Sequence, residues 1–155
     1  MSDIVYAKPL LSDIKRMQEL VLPEVKSGKI LYRSDDEIAT NIRSYTLAKE
    51  NRKLVGFGAL HIHTDSLAEV RSLIVDENER GKKIGHNIVK ECLTEAKKLG
   101  VKKVFTLTYE KIFFEKLGFD EIPKESLPEH KIWADCVKCK HFPICDEVAL
   151  IIDIL

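Results

Sequence analysis

From Val75 to His86 the chain reads Val-Asp-Glu-Asn-Glu-Arg-Gly-Lys-Lys-Ile-Gly-His, and these residue types are suited to holding an anion. A β-rich run, Val70 to Val75, ends in a charged turn, and a basic, glycine-punctuated segment then opens directly into an amphipathic helix. The first amides of a helix lack intrahelical acceptors, and the helix dipole makes that end partly positive. A strand, then Arg80-Gly81-Lys82-Lys83-Ile84-Gly85, then a helix therefore has the make-up of a pyrophosphate cradle. Such a cradle points to a phosphorylated cofactor and so to an enzyme. A merely solvated turn is the alternative that this stretch alone leaves open. His86, in the first helical turn, is placed to touch phosphate.

A second group is Cys136, Cys139 and Cys145, spaced Cys-x2-Cys-x5-Cys, with His141 between them. Three thiolates and an imidazole can make a tetrahedral zinc site. Yet His141 follows Cys139 closely, which is cramped for one ion, and a single Cys-x2-Cys occurs where a zinc ribbon has two. Zinc is not favoured; a packed, thiol-rich tail loop that helps close a pocket is the simpler reading. Cys92 falls on the apolar face of a helix, as a small core residue. His61 and His63 alternate along a strand and so share a face, read as a polar sheet face rather than a metal pair.

The elements that must position these groups follow from the hydrophobic pattern. The 155 residues suggest one domain, 1–155, large enough to bury a core. Lys+Arg and Asp+Glu are both 25, so no global basic field points to nucleic acid. No apolar run approaches the roughly 20 residues of a membrane span, and no signal peptide is evident, so the expected location is the cytoplasm.

Ile4 to Ala7 reads as a strand. Leu10 to Leu22 reads as a helix, with Leu10, Leu11, Ile14, Met17, Leu20 and Val21 on one side and Pro23 and Gly28 loosening the chain after it. Ser34 to Glu37 is a helix start with a hydroxyl cap and a capping-box glutamate, and Ile38, Ile42 and Tyr45 extend its apolar face. Strands are expected at 46–49, 54–63 and 68–75, the first two joined by a hairpin turn at Asn51-Arg52. The helix from Ile84 carries Ile88, Val89, Cys92, Leu93 and Ala96 on one face and stops at Gly100. A strand at 103–108, a short helix at 112–117, a strand at 119–122 and a final strand at 147–155 complete the order. This mixture predicts an α/β (α+β) sandwich with a partly antiparallel sheet.

With this element order, Arg80-Gly81-Lys82-Lys83-Ile84-Gly85 resembles the cofactor signature of the GCN5-related N-acetyltransferases, Arg/Gln-x-x-Gly-x-Gly/Ala. Lys83 stands where that family usually has its first glycine, and a lysine does not take a positive φ cheaply. Phe113 to Phe119 resembles the family's short helix and Gly-Phe turn, with Phe114 where many members carry a tyrosine acid. Ile30 to Ser34, Ala68 to Leu73, Leu107 to Tyr109, Lys131 to Cys136 and the tail Cys136 to Glu147 are together similar to the single-domain bacterial N-acetylglutamate synthases. The resemblance implies a mixed, mostly antiparallel sheet flanked by helices, with a Cys-containing loop before the last strand. It also implies acetyl-CoA as cosubstrate and an amino-acid acceptor, and it leaves room for a homodimer.

Acetyl transfer to an amino acid needs a base, because an ammonium is not a nucleophile. The resemblance puts that role on Glu69, whose alternative is a glutamate facing water or paired with Arg71. Backbone amides around Leu73, Ile74 and Val75 can stabilise the thioester oxygen. The thiolate's proton falls to Thr108, the family-consistent choice, or to Tyr109 on acidity. A dicarboxylate acceptor calls for cations: Arg33 first, then Arg71, Lys131 and Lys138. Other amine acceptors (glutamine, a polyamine, a protein amine) and a non-catalytic CoA- or zinc-binding module are the competing readings.

Overall fold

The computed structural model describes residues 3–127 and 147–154. Strand β1 (Ile4–Ala7) leads through a 3-10 turn, Leu11–Asp13, into helix α1 (Ile14–Lys26) and then α2 (Asp35–Thr40). Strands β2 (Tyr45–Glu50), β3 (Lys53–Ile62) and β4 (Leu67–Val75) form a meander. Helix α3 (Ile84–Leu99), strand β5 (Lys103–Thr108), helix α4 (Lys111–Lys116), strand β6 (Asp120–Ile122) and strand β7 (Val148–Asp153) follow. The sheet order is β1-β2-β3-β4-β5-β7-β6. All neighbours are antiparallel except β4 and β5, which run parallel. Among the described residues no helix is long and apolar enough to cross a membrane.

Local chemistry sets most of these boundaries. Asn51 and Arg52 both take left-handed backbone, φ 51° and 69°, the two-residue turn whose twist suits an antiparallel hairpin. Ser34 caps α2 as expected: its Oγ accepts from Glu37 N–H at 3.1 Å, and Glu37 accepts from the Ser34 amide. That helix ends at Thr40, however. Ile42 lies in a 3-10 turn and Tyr45 opens β2, so neither continues a helical face. The first helix also starts later than its pattern suggests. The Asp13 carboxylate accepts the Leu10 N–H at 2.8 Å and fixes a turn there, leaving Leu10 and Leu11 exposed. The helix then runs through Pro23, whose carbonyl still accepts from Ser27 N–H at 3.1 Å.

Helices cover both sheet faces. Met17, Leu20 and Val21 of α1 and Ile38 of α2 pack with Leu47, Phe57 and Ile74 on one face. Ile84, Ile88, Val89, Cys92 and Ala96 of α3 pack with Val55, Leu60, Ala68 and Val70 on the other. Gly58 lets α3 approach: a Cβ there would come within 2.9 Å of Ile88 Cγ2.

Strand β4 is irregular where it matters. Phe57 pairs with Ile74 and Ala59 with Arg71, so Gly58 faces the two residues Ser72 and Leu73. This is a β-bulge, with Ser72 at φ 58°. It reverses the alternation. Glu69 and Arg71 point to the α1 side, while Leu73 joins Ala68 and Val70 in packing toward α3.

β4 and β5 pair only from Leu67–Lys103 to Glu69–Phe105 and then diverge. Just past the divergence the buried Thr106 Oγ1 donates to the Val70 carbonyl at 2.9 Å, replacing a ladder bond the split removes. Thr106→Val keeps the volume and deletes that donor. The expected loss is about 1–2 kcal/mol, read as a lower urea midpoint at constant m-value. An unchanged midpoint would show that the bond contributes nothing.

Candidate active site

The divergence of β4 and β5 opens a cleft of about 610 Å³. One wall is β4 from Glu69 to Val75; the other is Thr106 to Glu110, with Phe113 and Phe114 of α4. One end is closed by Arg80, Gly81, Lys83, Ile84, Gly85 and His86, and the other by Gly28 to Leu31 and Arg33.

The basic turn adopts a conformation suited to an anion. Asp76 Oδ1 accepts from Asn78 N–H at 3.0 Å and turns the chain out of β4. Gly81 then takes φ 89°, and Lys83, the N-cap of α3, takes φ 61° and ψ 25° without a side-chain cap bond. The lysine thus adopts the left-handed backbone that glycine adopts most cheaply, at a cost on the order of 1–2 kcal/mol. The first amides of α3 are left facing the cleft, with the positive end of a 16-residue helix behind them. Arg80, Lys83 and His86 add cationic or protonatable groups to the same end. Lys82 does not. It is tied to Glu79 and, at 3.4 Å, to Glu50, outside the cleft lining. Burial, with the like charges of Lys90 and Lys83, holds His86 below the ordinary imidazole value.

At the head of the cleft, where β4 and β5 part, Glu69 is 1% exposed. It neither faces bulk water nor sits at a sheet edge; its Oε1 lies 2.9 Å from His63 Nε2. The His63 side chain is buried too, and its ring shares a face with that of His61, the centroids 4.7 Å apart. Arg71 lines the cleft from the same face of β4. Arg33 reaches the cleft from the segment before α2, 3.8 Å from Glu37. Gln18 of α1 fixes that segment, donating to the Arg33 carbonyl at 2.8 Å and to Asp35 at 2.9 Å. Burial pushes the Tyr45 phenol up, against the opposing pull of the Arg33 and Arg71 guanidiniums.

Thr108 and Tyr109 lie on the wall opposite β4. The Thr108 hydroxyl accepts from Glu110 N–H at 2.9 Å, and Tyr109 is partly exposed. Phe114 is buried and brings no hydroxyl. Cys92 is also buried, its thiol pushed up to about 12 and so chemically inert. Lys131, Lys138 and the group Cys136, Cys139, His141 and Cys145 lie outside the described residues. Sequence reading missed Thr106, Gln18, Tyr45 and the partnership of His63 with Glu69. Each works through a contact between separate elements and has no local motif.

An open mixed sheet whose central parallel pair splays beside a helix N-terminus defines the class: an acyltransferase cleft shaped for a long, phosphate-bearing donor. Residues 12–119 match the acetyltransferase (GNAT) family, and the chain belongs to that family. It is an N-acetyltransferase with acetyl-CoA as cosubstrate.

An uncharacterized N-acetyltransferase of Chlorobaculum tepidum is 36% identical over 141 residues, covering 91% of this chain and 90% of that protein. An amino-acid acetyltransferase of Mycobacterium tuberculosis is 36% identical over 115 residues, 72% of this chain and 65% of its own. The N-acetylglutamate synthase of Neisseria gonorrhoeae, complexed with coenzyme A and N-acetyl-glutamate, superposes with a TM-score of 0.88 at 18% identity, over 100% of this chain and 36% of that one. A Mycobacterium tuberculosis protein in complex with CoA and NLQ superposes at 0.83 and 25% identity, over 97% and 99% of the two chains.

Phosphates bound at this end of the cleft would favour protonated His86. In an NMR titration His86 is expected below the ordinary imidazole value in the free protein and to move upward when coenzyme A is added. An unmoved curve would place the phosphates elsewhere.

Proposed function

We propose that this protein transfers acetyl from acetyl-CoA to the α-amino group of L-glutamate, the reaction that opens arginine biosynthesis. The observation that carries this reading is that Arg33, Arg71 and a buried carboxylate, Glu69, line one cleft. Two guanidiniums match an acceptor with two carboxylates, each able to take a bidentate fork. Relatives named amino-acid acetyltransferase support an amino-acid acceptor, although this chain spans only part of several of them.

In this reading Glu69 removes a proton from the substrate ammonium, directly or through a water, and the amine attacks the thioester carbonyl. Backbone amides of Leu73 to Val75, re-aimed by the bulge at Ser72, polarise that carbonyl. Arg80, Lys83, His86 and the α3 amides hold the pyrophosphate. Thr108 or Tyr109 supplies the proton for the departing thiolate.

The first test is release of CoA thiol from acetyl-CoA against a panel of glutamate, glutamine, other amino acids and polyamines. Release that saturates with glutamate supports the proposal; turnover indifferent to glutamate and glutamine alike would sink it. Glu69→Gln is expected to lower kcat by about 10²–10⁴-fold at neutral pH and by much less at high pH, where the amine deprotonates in solution. Arg33→Ala is expected to raise the KM for glutamate at least about 10-fold while leaving the KM for acetyl-CoA unchanged.

A further inference from the structure

Glu69 is a carboxylate inside a sheet, and a carboxylate there is costly unless a donor meets it. His63 Nε2 lies 2.9 Å from Glu69 Oε1, and the two side chains are only 3% and 1% exposed. Glu69 lines the cleft and His63 does not, so the imidazole stands behind the carboxylate rather than beside a substrate.

The imidazole is held from several sides. The backbone N–H of His63 donates to the Leu67 carbonyl at 3.0 Å, closing the turn between β3 and β4 and fixing the strand end that carries the ring. Thr64 Oγ1 braces that turn by accepting from the N–H groups of Ser66 and Leu67. The His61 ring meets His63 edge-on at a centroid distance of 4.7 Å, and Phe105 lies against it at 5.2 Å. Phe105 is also the residue of β5 paired with Glu69 at the last rung before the strands diverge. The ring that orients the histidine thus marks the point where the cleft begins.

We infer that His63 is the positioning residue of the catalytic base: its Nε2–H holds Glu69 as an oriented carboxylate at the head of the cleft. This rests on Glu69 being the base, as proposed above. The substrate ammonium gives one proton to Glu69, directly or through a water. The amine nitrogen then bonds to the thioester carbon, the C–S bond breaks, the Thr108 or Tyr109 hydroxyl protonates the departing thiolate, and the second N–H proton refills that hydroxyl. Glu69 returns its proton to solvent. His63 neither gains nor loses a proton over the cycle.

Among the described residues, His61 on β3 meets the His63 ring edge-on, and Arg71, Arg33, Tyr109 and Glu147 line the same cleft as Glu69. β5 presents the apolar Phe105. Removing the Nε2–H donor raises the cost of ionising Glu69, so the base stays protonated to higher pH.

The test is the pH profile of kcat for the full chain, its His63→Ala and His63→Gln variants, and Glu69→Gln, with the acceptor the panel identifies. Coenzyme A binding by calorimetry checks that each variant is folded. His63→Ala is expected to lower kcat about 10–100-fold at neutral pH and to move the acidic limb upward by about half a unit or more, with the KM for acetyl-CoA unchanged. His63→Gln, an amide donor, restores much of the rate. A wild-type profile in His63→Ala beside an inactive Glu69→Gln overturns the inference and leaves the base in place. A rate loss with an unmoved acidic limb and no rescue by glutamine also overturns it, reducing His63 to packing. Full activity in Glu69→Gln removes the base itself. If His63→Ala binds no coenzyme A, His63→Gln against His63→Leu decides: a glutamine-only rescue supports the inference and equal rates overturn it.

Discussion

β4 and β5 share a parallel ladder for only three residue pairs, ending at Glu69 and Phe105, and then part. The rest of the site depends on that parting. A continuous ladder would fill the middle of the sheet with backbone hydrogen bonds and leave no room for a donor molecule. A split exposes backbone groups that must find other partners. Thr106 supplies one of them, by bridging to Val70 across the gap. The bulge at Ser72 supplies a second adjustment, turning the β4 backbone beyond Arg71 relative to the cleft. Antiparallel strands on both sides, and helices on both faces, keep the two halves of the sheet from closing the gap.

The cleft concentrates polar groups that the fold must compensate. At one end the amides of α3 and the left-handed Lys83 provide fixed positive character without a deeply buried charge. Where β4 and β5 part, a buried carboxylate is matched by a buried imidazole. Two further guanidiniums line the cleft, Arg71 on β4 and Arg33 on a segment pinned by Gln18. Cations and carboxylates thus share one cleft, and Glu69 among them is the carboxylate met by a buried imidazole.

Much of the fold was legible in the chain, because its signals are local. The β1 and β5 spans, the Asn51-Arg52 turn, the Ser34 cap and the start and Gly100 stop of α3 each depend on a few neighbouring residues. Errors arose where one local signal overrode another. Asp13 delayed α1, and the α2 pattern carried past Thr40 into a different element. The basic turn was legible as the strand-to-helix link that opens α3, but Lys82 and Lys83 were indistinguishable there. Only the folded turn sends Lys82 to Glu79 and Glu50 and gives Lys83 the left-handed backbone.

By itself the sequence determined the order of elements, the turn between β4 and α3 and the family, since these are carried by short-range spacing and by side-chain type. Tertiary structure alone decided the bulge that reverses the β4 alternation, the splay of β4 from β5 and the burial of Glu69 against His63. It also decided that Arg33 and Arg71 line the same cleft. The reason is physical. A strand's alternation says that two faces differ, but which face meets a helix, a neighbouring strand or a cleft is set by contacts between distant segments. Those contacts exist only once the chain has paid the entropy of bringing the segments together.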